Sequence, residues 1–346
     1  MGEQQGRRSA PTLHDVAREA GVSLATASRS LNGSARRVKD EYRARVLEAA
    51  ARLNYAPNLS AQAVARGRTN AIGIIVSDIT DPYFAGVAGG VFRAAESAGL
   101  VATIAVSGRD AAKEAQLVGA LRGQKPRGLV LVGSRVADAA VTRRLERQLA
   151  EFAEDGGRVA LVSQQGLAFD TVSFENRAGA RELATRLAEL GYRRFCVLAG
   201  PETLVTATER TEGFLAGIAD AGLPADAARV VRGAFTRDGG YAAAGDALEH
   251  GERPELIFAA NDVMAVGAMA RLRDEGLEPG ADVAVAGFDD IATLRDVTPG
   301  LTTVRLPLDQ GGVAAVDLIL TGDGASPTAL TLPGHVVLRA STPPRL

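Results

Sequence analysis

A single cysteine, Cys196, occurs in the 346 residues, so the chain makes no internal disulfide. It sits in the apolar run Phe195-Cys196-Val197-Leu198 and reads as a core thiol, not a reactive one. Membrane-spanning length is also missing. No run of about 18 apolar residues occurs, and polar Met1–Pro11 carries Arg7 and Arg8 with no apolar stretch behind them. A chain without a signal peptide, staying in the cytoplasm, is therefore expected. Histidine is scarce: His14, His250 and His335 lie far apart, none with a ligand-spaced neighbour, so no metal site is expected. The sequence has no GxGxxG, no GxxxxGKS/T, no GxSxG and no HExxH, which leaves an enzyme or a cofactor without support. The adjacent acids Asp289 and Asp290 read as a turn feature before a catalytic dyad.

What is present is an ordinary globular composition, 46% hydrophobic and 23% charged, long enough for two or three domains. The net charge of −2 hides an asymmetry. Residues 1–69 hold 12 Lys and Arg against 6 Asp and Glu, and the remainder holds 27 against 35. A basic head on an acidic body directs the head to a polyanion. From charge alone, a merely solvated basic face fits equally well.

Thr12-Leu13-His14-Asp15 fits a capping box that starts a helix at Leu13, with Leu13, Val16, Ala17 and Ala20 as its apolar stripe and Gly21 as its end. Ser23 is a second N-cap candidate, opening a helix from Leu24 to Leu31 that turns Ala27 and Leu31 inward and stops at Asn32-Gly33. A third helix, about Asp40 to Leu53, is expected to bury Val46, Leu47, Ala50 and Leu53. Two short helices around a Gly turn, inside a basic three-helix unit, describe a helix-turn-helix.

The stretch TLHDVAREAGVSLATASRSLNG, followed by VLEAAARLNYAPN, strongly resembles the DNA-binding segment of the lac repressor/galactose repressor (LacI/GalR) family. The resemblance implies that Leu24, Ala25 and Arg29 face base edges in the major groove. Arg29 has the chemistry to take a guanine bidentately, while Leu24 and Ala25 offer apolar contact. It implies phosphate-positioning roles for Thr12, Ser23, Thr26, Ser28 and Asn32. Between Asn32 and Val38 the chain is one residue longer than the family pattern, so Arg36 and Arg37 are expected to add phosphate contacts. The run Leu59–Arg66 has good helix formers and no breaker, yet is too short to hold alone in water. It resembles the family's hinge helix, whose apolar wedge enters the minor groove; Val64 stands at that position, where leucine is usual.

From Ala71 onward short apolar runs alternate with helical patterns. Strands are expected at Ile72–Val76, Val101–Val106, Gly128–Val132, Val159–Val162, Phe195–Leu198, Val230–Arg232, Leu256–Ala259 and Val283–Ala286. Helices fit at Phe84–Ala98, Arg177–Leu190, Glu209–Ala221 and Val263–Glu275. Such a beat argues a parallel sheet covered on both faces, and its repetition suggests two similar lobes divided near Asp170–Phe174. SDITDPYF at 77–84, ENRAGA at 175–180, ERTEGF at 209–214, ANDVMAVGA at 260–268, GFDD at 287–290 and LTTVRLP at 301–307 extend the family resemblance along nearly the whole chain. It implies a core like periplasmic sugar-binding proteins, with two doubly wound lobes, three crossings and a ligand between them at the carboxyl ends of strands.

Tyr83 and Phe84 are expected to stack on a flat ligand, and Arg210 to fork onto hydroxyls or a carboxylate. Glu175, Asn261 and Asp289 are expected to hold hydroxyls. Phe235 closes the other face, and Thr206 and Gln164 complete the list. Asp262 is read as a helix N-cap and Asp290 as a turn residue. Glu175 stands where many relatives carry aspartate. Leu204 lies where purine-sensing relatives place an arginine, which favours a sugar.

The expected plan is an N-terminal all-α helix-turn-helix domain over residues 12–56, a hinge over 57–69, and an α/β periplasmic-binding-protein-like core of two doubly wound parallel-sheet lobes over 70–346. The first lobe takes about 70–172 and 304–331, the second about 173–303 and 332–346. The function implied is a transcription regulator, a repressor, binding near-palindromic double-stranded operator DNA under control of a small-molecule effector. With no heptad tail after Ala340-Ser341-Thr342, a homodimer is expected in preference to a tetramer, with no membrane partner.

Overall fold

The structure, a computed structural model, describes residues 11–32, 38–55, 68–322 and 326–345. Arg36, Arg37, Val64 and nearly all of the expected hinge lie outside these residues, as does the side chain of Asn32. The chain divides into two units, Met1–Thr69 and Asn70–Leu346.

In the first unit three helices pack on a core of small residues. Helix α1 (Leu13–Ala20) begins with the full capping box: Asp15 N–H donates to Thr12 Oγ1 at 3.3 Å, and Thr12 N–H donates back to Asp15 Oδ2 at 2.9 Å. Gly21 ends it at φ 63, a left-handed conformation that glycine takes without a Cβ penalty. Helix α2 (Leu24–Asn32) is capped by Ser23, whose Oγ accepts from Thr26 N–H at 3.1 Å. Helix α3 (Asp40–Arg52) presents Val46, Ala49 and Ala50 to buried Val16, Ala17, Ala20 and Ala27. Leu47 does not join them. It is 48% exposed because it stands one residue, about 100° of helix, off the inward stripe; Leu53 is half-buried.

The second unit holds two parallel sheets. The first is six-stranded, in the order β11-β5-β4-β3-β1-β2, from β1 (Ala71–Val76), β2 (Val101–Val106), β3 (Gly128–Val132), β4 (Arg158–Val162), β5 (Asp170–Phe174) and β11 (Ala329–Leu332). The second is four-stranded, β7-β6-β8-β9, from β6 (Phe195–Ala199), β7 (Ala228–Arg232), β8 (Leu256–Ala259) and β9 (Ala284–Ala286). Strands β3, β6 and β8 are buried along their whole length, as sheets covered by helices on both faces require. Asp170–Phe174, expected as the point of division, is itself a strand of the first sheet, and the chain leaves that lobe at its end. The alternation of Asp, Thr and Ser with apolar residues hid it. A two-stranded antiparallel ribbon, β10 (Thr303–Arg305) with β12 (His335–Val337), carries the other two crossings.

Helix α4 (Pro82–Ser97) follows β1 and packs against α11 (Leu308–Thr321) by backbone contact. A Cβ on Gly90 would lie 2.0 Å from Asp309 O, and one on Gly312 would lie 2.1 Å from Val87 O. That close approach brings the late helix onto the early lobe. Helices α5 (Ala111–Arg122), α6 (Ala139–Glu154), α7 (Asn176–Glu189), α8 (Val205–Asp220), α9 (Arg237–Glu249) and α10 (Asp262–Asp274) complete the coats.

Candidate functional site

Where parallel strands end, their helices begin, and the intervening turns of both lobes meet around one cleft. Ser77 follows β1; Ser107, Arg109 and Asp110 follow β2; Gly133 and Ser134 follow β3; Ser163 and Gln164 follow β4. From the other lobe come Asn176 after β5, Thr206 and Arg210 on α8, Phe235 after β7, Asn261 after β8 and Asp289 after β9. The cavity between them measures about 80 Å3, room for several waters or one compact polar molecule.

Arg210 lines it, almost fully buried. Its Nη2 donates to Asp289 Oδ1 at 2.7 Å, its Nε to Asn176 Oδ1 at 2.9 Å and its Nη1 to Ala260 O at 2.8 Å, with the guanidinium 4.1 Å from the Phe288 ring centroid. Three of the five N–H groups are thus committed and two remain. Asp289 sits at φ 122, a strained conformation for a side-chain-bearing residue, held by Asp289 N–H to Val304 O and Leu306 N–H to Asp289 O. Burial pushes its carboxyl up, and the adjacent guanidinium opposes that rise.

Aromatic rings close the apolar side. Tyr83 meets Phe84 edge-on at 5.1 Å and Phe174 at 6.4 Å. Burial, with the Asp289 carboxylate, drives the Tyr83 phenol above its usual range, so it remains a donor. Asn261 is the N-cap of α10, its Oδ1 accepting from Met264 N–H at 2.9 Å. This corrects the expectation for Asp262, which is the first residue inside that helix. Its Oδ2 accepts from Ile291 N–H at 3.0 Å and its Oδ1 from the Thr303 hydroxyl at 2.7 Å. Asp290 lies outside the cleft and receives Arg305 Nε at 2.6 Å and Arg339 Nη2 at 2.7 Å.

Of the residues singled out in the sequence, the structure gathers Tyr83, Phe84, Gln164, Thr206, Arg210, Phe235, Asn261 and Asp289 around the cleft. Glu175 is a correction. It is exposed just ahead of α7, and the next residue, Asn176, turns inward in its place. Charged groups that sequence reasoning passed over also converge here. Arg135 grips Glu114 with two bonds of 3.1 and 3.2 Å and Ser163 Oγ with one of 2.9 Å, and Arg109 donates to Asp81 at 3.0 Å. Arg109 and Arg135 each stand three residues past a strand end, and that was the available signal.

The lobes are tied across the mouth of the cleft. Val136 and Leu204 form an antiparallel bridge, Thr206 N–H donates to Ser134 Oγ at 3.0 Å, and Gln164 Nε2 donates to Thr206 Oγ1 at 2.5 Å.

In the N-terminal unit, Leu24, Ala25 and Arg29 are exposed on α2, with Leu24 39% accessible and so no part of the core. The Thr12 and Ser23 hydroxyls sit at helix N-termini, where backbone N–H groups and the dipole favour a phosphate. Thr26 is half-buried and bonded to Ser23, at 2.8 Å between hydroxyls; Ser28 is half-buried.

Residues 12–58 match the bacterial regulatory proteins of the lacI family, and residues 184–342 match a periplasmic binding protein-like domain. The HTH-type transcriptional regulator CelR of Thermobifida fusca is 33% identical over 343 residues, covering 97% of this chain and 99% of its own. The chain belongs to the LacI family. This LacI-family regulator is also 33% identical to the HTH-type transcriptional regulator GalS of Salmonella typhimurium, over 90% of this chain and 89% of that one. Its fold superimposes on a lac repressor dimer bound to operator and an anti-inducer with a TM-score of 0.83 at 26% identity, covering 97% of this chain and 100% of that one. A CelR–cellobiose complex matches with a TM-score of 0.68 at 32% identity, over 96% of this chain and 99% of that one. No helix among the described residues is long and apolar enough to cross a membrane.

Proposed function

We propose that this LacI-family regulator is a cytoplasmic repressor, a homodimer on a near-palindromic operator, whose DNA affinity is set by a sugar held between the lobes and which catalyses no reaction. The observation that carries the reading is the buried Arg210–Asp289 pair beside Tyr83 and Phe84 at the strand ends. Planar donors, fixed acceptors and flat apolar rings are the groups that hold a sugar's hydroxyls and its ring faces. The cellobiose found in CelR, and the operator carried by the lac repressor dimer, support the same assignment by likeness.

Arg29, Leu24 and Ala25 read base edges, while Thr12, Ser23, Thr26, Ser28 and Asn32, with Arg36 and Arg37, hold phosphates and Val64 forms the minor-groove wedge. Residues 12–56 make the DNA head, 57–69 the hinge, and 70–346 the sensor. Gln164, Thr206, Phe235 and Asn261 complete the sugar's wall. Sugar binding favours one arrangement of the lobes, and the coupling, about 1–3 kcal/mol, is reciprocal between sugar and operator.

The test is selection of random-sequence DNA by the full chain, followed by binding to the enriched site with and without cellobiose, galactose, glucose and ribose. Two-fold-symmetric sites whose affinity shifts about 5–150-fold with one sugar are expected. Enriched sites without symmetry would remove the dimer, and indifference to every sugar would remove the effector.

A further inference from the structure

We infer that the cleft selects an uncharged polyhydroxy effector and rejects its phosphorylated or carboxylated counterpart, because each guanidinium at the cleft is already held by a carboxylate of the protein. The inference rests on the sugar reading above and narrows it to a charge class.

Three guanidinium groups serve the cleft. Arg210 is paired with Asp289 at 2.7 Å, their side chains only 3% and 5% exposed. Arg135, just behind the lining, forks onto both carboxylate oxygens of Glu114. Arg109 bonds Asp81 at 3.0 Å and Asp78 at 3.4 Å. No lysine or histidine is among the described lining residues. Asp110 brings a further acid to the wall, so carboxylates outnumber guanidiniums there.

Helix N-termini are the other place where an anion would settle, and two of those that open here, on the first lobe, are already filled by acids. Asp81 caps α4 by accepting from Tyr83 N–H at 3.0 Å, and Asp110 caps α5 by accepting from Ala112 N–H at 2.8 Å and Lys113 N–H at 3.2 Å. Each supplies the negative charge that the helix dipole favours. A phosphate or carboxylate entering the cavity would therefore face fixed carboxylates, or break a buried pair and strand its partner uncompensated. Hydroxyls meet no such obstacle. They can take the two uncommitted N–H groups of Arg210 and the spare lone pairs of Asp289 without disturbing a pair.

The experiment is calorimetric titration of the full-length protein with matched probes: glucose and glucose 6-phosphate, ribose and ribose 5-phosphate, galactose and galacturonate. In any pair that binds, the neutral member is expected to bind at least about tenfold tighter, or about 1.4 kcal/mol. Raising the salt concentration should leave the neutral sugar's affinity unchanged. Glu114→Gln removes the carboxylate that pairs with Arg135, and Asp81→Asn, separately, removes the nearer of the two that pair with Arg109, leaving Asp78; each should narrow the gap in favour of the anion. An anionic member binding as tightly as its neutral twin overturns the charge argument alone. A gap unmoved in both variants overturns the role given to the built-in pairs. Silence from all six probes overturns the sugar reading beneath it.

Discussion

Arg210 Nη2 lies 2.7 Å from Asp289 Oδ1, joining the second turn of α8 to the segment just past the edge strand β9 in a site that water barely reaches. The pair is costly to bury and more costly to break. Removing one partner of a buried ion pair typically destabilises by about 3–5 kcal/mol, because the other charge is left without compensation. Arg210→Ala is therefore expected to lower the unfolding free energy of the core by that amount and to abolish the sugar-induced rise in melting temperature. Chemical denaturation checks the first, and thermal melting with and without sugar checks the second. A variant that unfolds earlier but is still protected by sugar would place Arg210 in the scaffold only.

The parallel-strand plan was legible because continuous apolar runs such as Gly128–Val132 and Leu256–Ala259 have no other comfortable place than a doubly covered sheet. Strand β5 escaped notice since Asp170, Thr171 and Ser173 interrupt its pattern. Thr171 and Ser173 are buried all the same, with hydroxyl bonds to Phe169 O at 2.9 Å and Thr331 at 3.0 Å. Polar side chains that bond their neighbours are admitted to a core that apolar counting alone would deny them. At the site, residues inside family-like stretches, Arg210 and Asp289 among them, were recognisable. Arg109 and Arg135 were not, because their meaning comes from partners 21 to 31 positions away. Glu175 was misplaced by one residue, a distance that on a helix start separates the inward from the solvent side.

Asp262 is fully buried, and burial pushes its carboxyl up to about 6 from an ordinary 3.8, against hydrogen bonds from Thr303 and Ile291. A raised folded-state value means that ionisation disfavours the fold. The stabilising contribution is complete below about pH 4 and is lost as pH rises through about 6. Asp262→Asn keeps an acceptor for Ile291 and cannot ionise. Its stability relative to the parent is expected to improve by about 2–3 kcal/mol between about pH 4 and about pH 7. Urea midpoints for both proteins across that range test this; parallel curves would show that the carboxyl does not titrate there.

The backbone contact between α4 and α11 leaves no room for a side chain. Gly90→Ala would drive a Cβ to 2.0 Å from Asp309 O, so the two helices must part. Overpacking of this kind costs about 1–3 kcal/mol. A lowered melting temperature is expected, and Gly89→Ala, whose nearest neighbour is the Arg93 tip at 4.0 Å, provides the control. Equal melting temperatures for the two variants would mean that the helices slide apart freely.

Arg29, exposed on α2, and Ser23, which caps it, are the residues to which the proposed function gives two different kinds of DNA contact. A guanidinium bidentate to guanine discriminates between bases, so Arg29→Ala should relax preference at one operator position by about 1–3 kcal/mol. Ser23 Oγ accepts from Thr26 N–H at the helix start, and Ser23→Ala should cost about 1 kcal/mol of stability while weakening all DNA sequences alike. Competition binding against operators substituted one base pair at a time distinguishes the two patterns. If Arg29→Ala lost the same affinity on every sequence, its side chain would be holding phosphate, and base reading by this helix would fall to Leu24 and Ala25.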